Sequence, residues 1–465
     1  MNISNIRLGF ATNSSSTHSI IILPGQVDDM VWEGEFGWQN FTLASSGAKM
    51  LYLAVCIDEH LSSRIGVELS RLVVRQLLGV ILTGEESIDH QSIWALPVDK
   101  ESMHGLNIEF INDLRDYLRK DDLVILGGND NEYDHPLGPG YILPFNVDDI
   151  NELYEDKLLA RKDMNYWTLF NTTNGAKIRF SFGDLGSTPE YSTYPELVDM
   201  KITDRCFESC KWCYADSTPT GEHATRDNTY RMLFILMSMG IFEVALGGGN
   251  VMDHPQILDI VSSTRRRNII PNITCRNPEW MMSPRYGELI NSVGRIGVTA
   301  YTVDDIPRLA DICTTMNIPL RKVSPQVVVG IPDEYTFGDI LRSAHELHLP
   351  VTLLGYKHCG RGSNYVPNEY NLIDIIMNMN NRDELPTISI DTALALQYNT
   401  ELAAMGIPRI MYTTDEGRFS MYIDAVNMVC GPSSYHPLST MVPIPDGCTT
   451  EELAAIYSTF RGSNN

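Results

Sequence analysis

The sequence predicts an α/β protein: a partial (β/α)6-type TIM-like barrel over residues 196–440, preceded by a separate α+β domain over 1–195 and followed by a helical tail over 441–465. Three observations lead there. After residue 196, short apolar runs alternate with segments long enough for crossover helices, the pattern of parallel strands. Before it, helical and strand-like stretches mix without that alternation. Between them, residues 183–195 are rich in Gly, Ser, Thr, Pro and Tyr and read as a linker.

Length and composition agree. The 465 residues allow two or three domains, and 43% hydrophobic, 20% charged and 9% aromatic residues describe a globular chain. The formal net charge of −24 disfavours nucleic acid, which is gripped by Lys and Arg displacing counterions. No stretch approaches the ~20 apolar residues of a membrane span. The early apolar run Ile20–Leu23 is too short for a secretory signal. The expected location is therefore cytoplasmic. Nine cysteines are too few for a disulfide scaffold in a chain of this length.

In order, residues 49–60, 68–78 and 109–120 carry helical spacing, and 123–128 (LVILGG) reads as a strand ending in a glycine turn. Residues 149–163 read as a further helix. The barrel strands are expected at 197–203, 242–248, 269–275, 295–301, 323–331 and 350–356, with a helix near 226–239. The runs 387–391 and 418–424 extend or close the sheet. Thr449 to Glu452 forms a capping box that opens a short C-terminal helix.

Six cysteines are scattered, and three are not. Cys206, Cys210 and Cys213 follow the first barrel strand with spacing C-x3-C-x2-C, and Trp212 precedes the last. Thiolates suit iron–sulfur clusters and soft metals. Three of them hold three corners of a [4Fe–4S] cluster and leave one iron open. The competing reading is structural zinc, which requires a fourth ligand, and His223 is a candidate.

The spacing and the aromatic residue resemble the signature of the radical S-adenosylmethionine (radical SAM) superfamily, over about 240 residues from 197 to 435. The resemblance implies one [4Fe–4S] cluster whose open iron is chelated by S-adenosylmethionine. One electron, from a flavodoxin- or ferredoxin-type donor, then cleaves the cofactor to methionine and a 5′-deoxyadenosyl radical, which takes hydrogen from a substrate. It also implies that Trp212 helps frame the cofactor. At the second strand end, Leu246-Gly247-Gly248-Gly249-Asn250 stands where the family has Gly-Gly-Glu against the cofactor's amino group. Asn250 accepts a hydrogen bond but neutralises no ammonium. At the third, Arg276 reads either as a partner of the cofactor carboxylate or as a surface ion pair. Cys275 beside it reads as a small buried residue. Thr299 on the fourth resembles the polar residues that meet carboxylate and ribose. Gly330 and Ile331 on the fifth resemble the motif lying against adenine. After the sixth, Tyr356 could flank adenine. Lys357 and Arg361 either meet an anionic group or are solvated charges in a glycine-rich loop. Only Cys430 and Cys448 fall where relatives carry auxiliary-cluster cysteines, so one cluster per chain is expected.

Some features stand apart. The start Gly9-Phe10-Ala11-Thr12-Asn13-Ser14-Ser15-Ser16 resembles that of uncharacterised phage-type and bacterial G-F-x-[ST]-N-S-S-S proteins. It reads as a polar turn, or else as a recognition or modification segment. Asp89-His90 and the turn 127–130 could form a second polar site. The likeness of 126–136 to 246–255 reads as two similar glycine turns. Arg265-Arg266-Arg267 suits the end of a helix dipole, with docking of an acidic reductase as the alternative. The substrate reading leans to a peptide or protein side chain, because a large domain precedes the barrel. The alternatives are a small metabolite or nucleoside derivative, and a non-catalytic iron–sulfur or zinc module.

Overall fold

The computed structural model describes residues 2–7, 21–24, 28–29, 35–37, 41–88, 96–99, 105–127, 158–182, 190–407, 409 and 412–460. The segment 9–19, Asp89-His90, residues 128–130 and residues 183–189 lie outside them. Among the described residues no helix is long and apolar enough to cross a membrane.

The N-terminal part contains β1 (Asn2–Arg7), β2 (Ile21–Pro24), β3 (Glu35–Phe36), β4 (Phe41–Leu43), α1 (Ser46–Ile65), α2 (Val67–Leu78), β5 (Ser87–Ile88), α3 (Ile108–Leu118), β6 (Leu123–Gly127), β7 (Leu158–Asp163), β8 (Tyr166–Asn171) and β9 (Lys177–Ser181). The expected helices at 49–60, 68–78 and 109–120 are present as α1, α2 and α3. Ser45 caps α1 and Asn107 caps α3, each accepting a backbone N–H of the first turn. One core gathers Phe36, Phe41, Tyr52, Phe110 and Trp167.

The helix expected at 149–163 is not what forms at its end. Residues 158–163 are strand β7, paired antiparallel with β8 across a turn at Met164 (φ 50°), and residues 149–157 lie outside the described residues. Leu158, Leu159 and Ala160 are buried by this pairing. Tertiary packing overrides the helical spacing of an isolated segment.

The C-terminal part alternates as expected: β10 (Leu197–Thr203), α4 (Arg226–Ser238), β11 (Glu243–Gly248), α5 (Ile257–Arg265), β12 (Ile270–Cys275), α6 (Gly287–Ser292), β13 (Ile296–Thr299), α7 (Asp305–Thr315), β14 (Val323–Val328), α8 (Glu334–Glu346), β15 (Val351–Leu354), α9 (Leu372–Asn381) and β16 (Ile388–Ile390). Then come α10 (Thr392–Gln397), α11 (Asn399–Ala404), β17 (Ser420–Asp424), β18 (Val429–Gly431), β19 (Val442–Pro443) and α12 (Thr450–Thr459). They build a ten-stranded sheet of order β16-β15-β14-β13-β12-β11-β10-β17-β18-β19. Every pairing from β16 to β17 is parallel, and β18 and β19 add antiparallel. The run 387–391 extends the sheet past β15, and 418–424 lies on the other side of β10. All the parallel strands therefore end on one edge, where loops meet. α12 opens with the capping box expected at Thr449 and Glu452.

The two parts meet through buried charge. Glu196, wholly buried, accepts from Arg179 Nε (2.7 Å) and Nη2 (2.8 Å), Lys177 Nζ (2.6 Å) and Thr168 Oγ1 (3.1 Å). Burial alone would raise its pKa, but Arg179 and Lys177 outweigh that and hold it well below the usual range. Phe170 stacks on Phe242 at 5.2 Å. Half of the expected linker is firmly held. Arg161 donates to the carbonyls of Tyr194 (2.8 Å) and Pro195 (3.0 Å), and the Ser192 N–H donates to the Arg418 carbonyl (2.9 Å).

Candidate functional site

Segment 204–224 folds back against the end of β10. The Asp204 N–H donates to Glu222 (2.7 Å), Thr218 N–H to Asp204 (3.1 Å), and Cys206 N–H to Thr218 (2.9 Å). Gly221 permits this, because a Cβ there would strike the Asp204 carbonyl. Within the loop the Cys213 N–H donates to the Cys210 carbonyl at 3.3 Å. All three thiols are half-buried and unpaired. Burial raises the Cys206 thiol pKa, and the neighbouring Cys213 and Cys210 raise it further. Burial likewise raises Cys210.

Three soft donors on one loop fit an iron–sulfur cluster. Among the described residues no group of three His, Cys, Asp or Glu side chains is gathered tightly enough for one metal ion. A cubane places each thiolate on its own iron and asks for a wider spacing. His223, the candidate fourth zinc ligand, has Nδ1 2.8 Å from Thr203 Oγ1 and packs its ring on His254.

Gly248 and Gly249 bring the end of β11 against the approach to the cysteine loop. A Cβ at either would strike the backbone of Thr203 or Arg205, and Gly248 has φ 114°. Gly249 N–H donates to Thr203 (2.7 Å) and Asn250 N–H to Arg205 (2.9 Å). These glycines thus serve a strand-to-strand approach, and a Cβ at Gly247 would make only an ordinary contact with Asp199. The Asn250 side chain accepts the Met252 N–H (3.3 Å), capping a short 3-10 turn.

The other strand ends converge on Trp212. Its Nε1–H donates to the Tyr301 hydroxyl at 3.1 Å, and the rings meet edge-on at 4.9 Å. Tyr365 meets Trp212 at 5.3 Å and Tyr356 at 6.3 Å. Arg276 lies over the Tyr301 ring at 4.6 Å, donates to the Thr299 carbonyl (2.7 Å) and pairs with Asp305 (3.1 Å). Arg276 is thus ion-paired, and Tyr301 beneath it links it to Trp212 of the cysteine loop. Cys275 is buried, as expected. Gly330 (φ 88°) and Ile331 turn against Asn368 and Tyr370.

Arg361 is held by the cysteine loop and by Asp216. Its Nε donates to the Cys210 carbonyl (3.0 Å), its backbone N–H to Cys213 (3.0 Å), and Nη1 to Ser217 (2.9 Å) and Asp216 (3.0 Å). It clamps the cysteine loop. Gly360 lets the two backbones touch. Lys357 turns toward the barrel side, donating to Ser434 Oγ (3.3 Å) and lying over Tyr214 (4.5 Å) and Tyr435 (5.2 Å). Asp199, Asp391 and Glu416 surround it and hold its ammonium in the charged state against burial. Burial raises Glu416 to about 7, despite Lys357. This polar cluster combines β10, the loop after β15, α10's cap and loops 416 and 434–435, and adjoins Cys213 through Tyr214.

Tyr301, Asp305, Tyr365, Asp199 and Glu416 were not singled out from sequence. Tyr301 and Asp199 lie within expected strands, so strand-end position was the available signal for the first. Cys430 and Cys448 are core residues. Arg266 and Arg267 bond Ser262 and Ser263 in the last turn of α5, as the dipole reading expects.

No family model matches the chain, and no curated protein matches it. Among solved structures it is similar to Streptococcus suis SuiB. The match to SuiB bound to S-adenosylmethionine has a TM-score of 0.48 and 13% identity, covering 66% of this chain and 89% of that one. A further SuiB structure gives 0.47, 13%, 65% and 87%, and SuiB bound to precursor peptide SuiA gives 0.49, 12%, 66% and 90%. At these values the likeness bears on neither chemistry nor substrate.

Proposed function

We propose that this chain is a radical SAM enzyme built on a partial (β/α)6 barrel spanning 196–440. The observation that carries the reading is the loop 206–213. It places three free thiols and Trp212 immediately past β10, at the edge where the parallel strands end. Cys206, Cys210 and Cys213 would hold the cluster, which when bound supplies the electron that cleaves S-adenosylmethionine. The chain's own residues do the rest. Trp212, Arg276 and the Thr299 strand end frame the mouth, with Gly247–Asn250, Gly330–Ile331 and Tyr356 as further cofactor contacts. Residues 1–195 form the access or partner domain, and the tail 441–465 begins with residues that join the barrel core, where Leu453 and Tyr457 are buried and α12 lies against α4. Free thiols favour a reducing, cytoplasmic setting and a flavodoxin- or ferredoxin-type donor.

The substrate space in this reading lies beside Tyr214, where Lys357, Asp199 and Glu416 meet. A peptide or protein side chain fits a barrel preceded by a large domain. A metabolite is distinguished from it by mass change in co-expressed peptides. The function itself is tested by anaerobic reconstitution. The protein should bind about four irons and, once reduced, convert S-adenosylmethionine to 5′-deoxyadenosine. Cys210→Ala should abolish both. Cleavage that survives replacement of all three cysteines overturns the assignment, and tight zinc without iron uptake favours a non-catalytic module.

A further inference from the structure

Alternate side chains of the parallel strands face the inside of the barrel. On β10, Val198, Met200 and Ile202 join the helix-backed core, so Asp199 and Lys201 point the other way. The neighbouring inward positions at this height are neutral: Ala245, Asn272, Thr274, Thr299, Gln326 and Thr352. Lys201 is paired with Asp204 and Asp424, both at 2.7 Å. No ion pair reaches Asp199 among the described residues. The Ser434 hydroxyl, which accepts from Lys357 Nζ (3.3 Å), is the neighbour that favours its charge. Asp199, Lys357, Asp391 and Glu416 are each enclosed by protein, yet each keeps part of its surface accessible, as groups on a cavity wall do.

This wall carries three carboxylates and one ammonium. Even with Glu416 protonated, two carboxylates face Lys357. An enclosed charge without a counter-charge is unfavourable, so the cavity favours a cation. Two of the carboxylates are already engaged. Asp391 accepts the N–H groups of Gly355 (2.9 Å) and Leu394 (2.8 Å), and Glu416 accepts the Tyr435 hydroxyl (3.2 Å). Asp199 instead faces Gly247, which brings no side chain. A Cβ there would stand 3.5 Å from Asp199 Oδ1, in contact without a clash. That leaves room for a guest beside this carboxylate. We propose that the barrel cavity selects a substrate side chain ending in an ammonium or guanidinium group, and that Asp199 is the residue that anchors it. The inference rests on the radical SAM reading above, with the cavity as its substrate space.

The test is calorimetric titration of the reconstituted, unreduced full-length protein with N-acetylated, C-amidated Gly-X-Gly peptides, at saturating S-adenosylmethionine. X is Lys, Arg, norleucine, Gln or Glu. The Lys or Arg peptide should bind about tenfold to a hundredfold more tightly than the norleucine peptide, the span of a hydrogen bond to a charged group. Asp199→Asn should erase most of that preference. Asp446→Asn, which removes a carboxylate in full solvent, should leave it unmoved. Lys357→Gln removes the competing ammonium and should widen it. Equal binding of all the peptides, no binding of any, or a preference for Glu overturns the proposal. So does a preference that survives in folded Asp199→Asn. A preference seen only without S-adenosylmethionine assigns the carboxylate to the cofactor's ammonium and overturns it as well. If Asp199→Asn does not fold, the wild-type ranking and Lys357→Gln decide. Iron uptake and cofactor cleavage are measured on the same preparations. Wild-type protein that takes up no iron removes the radical SAM reading, and this inference with it. Wild-type protein that cleaves the cofactor without the cation preference removes only this one.

Discussion

Glu416 is the residue whose protonation should be most visible. Burial raises it from the ordinary 4.5 to about 7 in the folded chain, with Asp391 and Asp199 adding to the effect and Lys357 opposing it. The folded state then binds the proton more tightly than the unfolded one, so stability falls as pH rises from about 4.5 to about 7. Glu416→Gln should flatten that slope. Its Tm should match the wild type near pH 5 and exceed it by about 2 °C at pH 8, measured by thermal melts across pH. The cysteines were legible because their spacing is short and local. Tyr301 was not, because the contact that defines it joins positions 89 apart to Trp212, and a tyrosine at a strand end is silent without that partner. Arg276 was legible as a charged residue in the right place, but its pairing with Asp305 was not.

At the scale of elements, the loop after β15 holds the loop after β10. Arg361 makes four hydrogen bonds to residues between Cys210 and Ser217. Bonds to charged groups contribute about 1.5–3 kcal/mol each. Arg361→Ala should therefore speed hydrogen exchange at the amides of 206–217 by about tenfold to a hundredfold, read by mass spectrometry, while α4 is unaffected. Arg361→Lys should recover part of the protection, since it keeps the charge and loses the planar fork. The alternation of β10 to β15 with helices was readable from apolar runs alone, because buried parallel strands are nearly continuous in hydrophobicity. Residues 158–163 were misread for the complementary reason. Their leucines suit either element, and only pairing with β8 makes them a strand.

At the scale of the molecule, the N-terminal part and the sheet are joined by an ionic knot. Glu196 sits between Arg179 and Lys177 with almost no solvent access. Glu196→Gln removes the carboxylate that Arg179 and Lys177 share and should cost about 3–5 kcal/mol in urea unfolding at pH 7. Because its folded pKa is depressed, the contribution is fully present above about 4.5 and is lost as pH falls through the folded value. The wild-type and variant should therefore converge in strong acid. No sequence pattern announces this knot, since each member is an ordinary surface residue type and only the fold buries it.

The place of β17 imposes an order on biosynthesis. β10 carries the cysteine loop at its end, yet its neighbour on one side is built from residues 420–424, far downstream. At roughly 5–20 residues per second, tens of seconds separate the emergence of these two strands from the ribosome. Throughout that interval the strand bearing the three thiols offers an unpaired backbone edge, the kind of surface on which nascent chains adhere to one another. In the cluster reading proposed above, metal insertion before β17 arrives would act on a loop whose supporting strand is only half covered. A nascent chain halted short of residue 420 has its complete thiol motif and lacks the strand that shelters it.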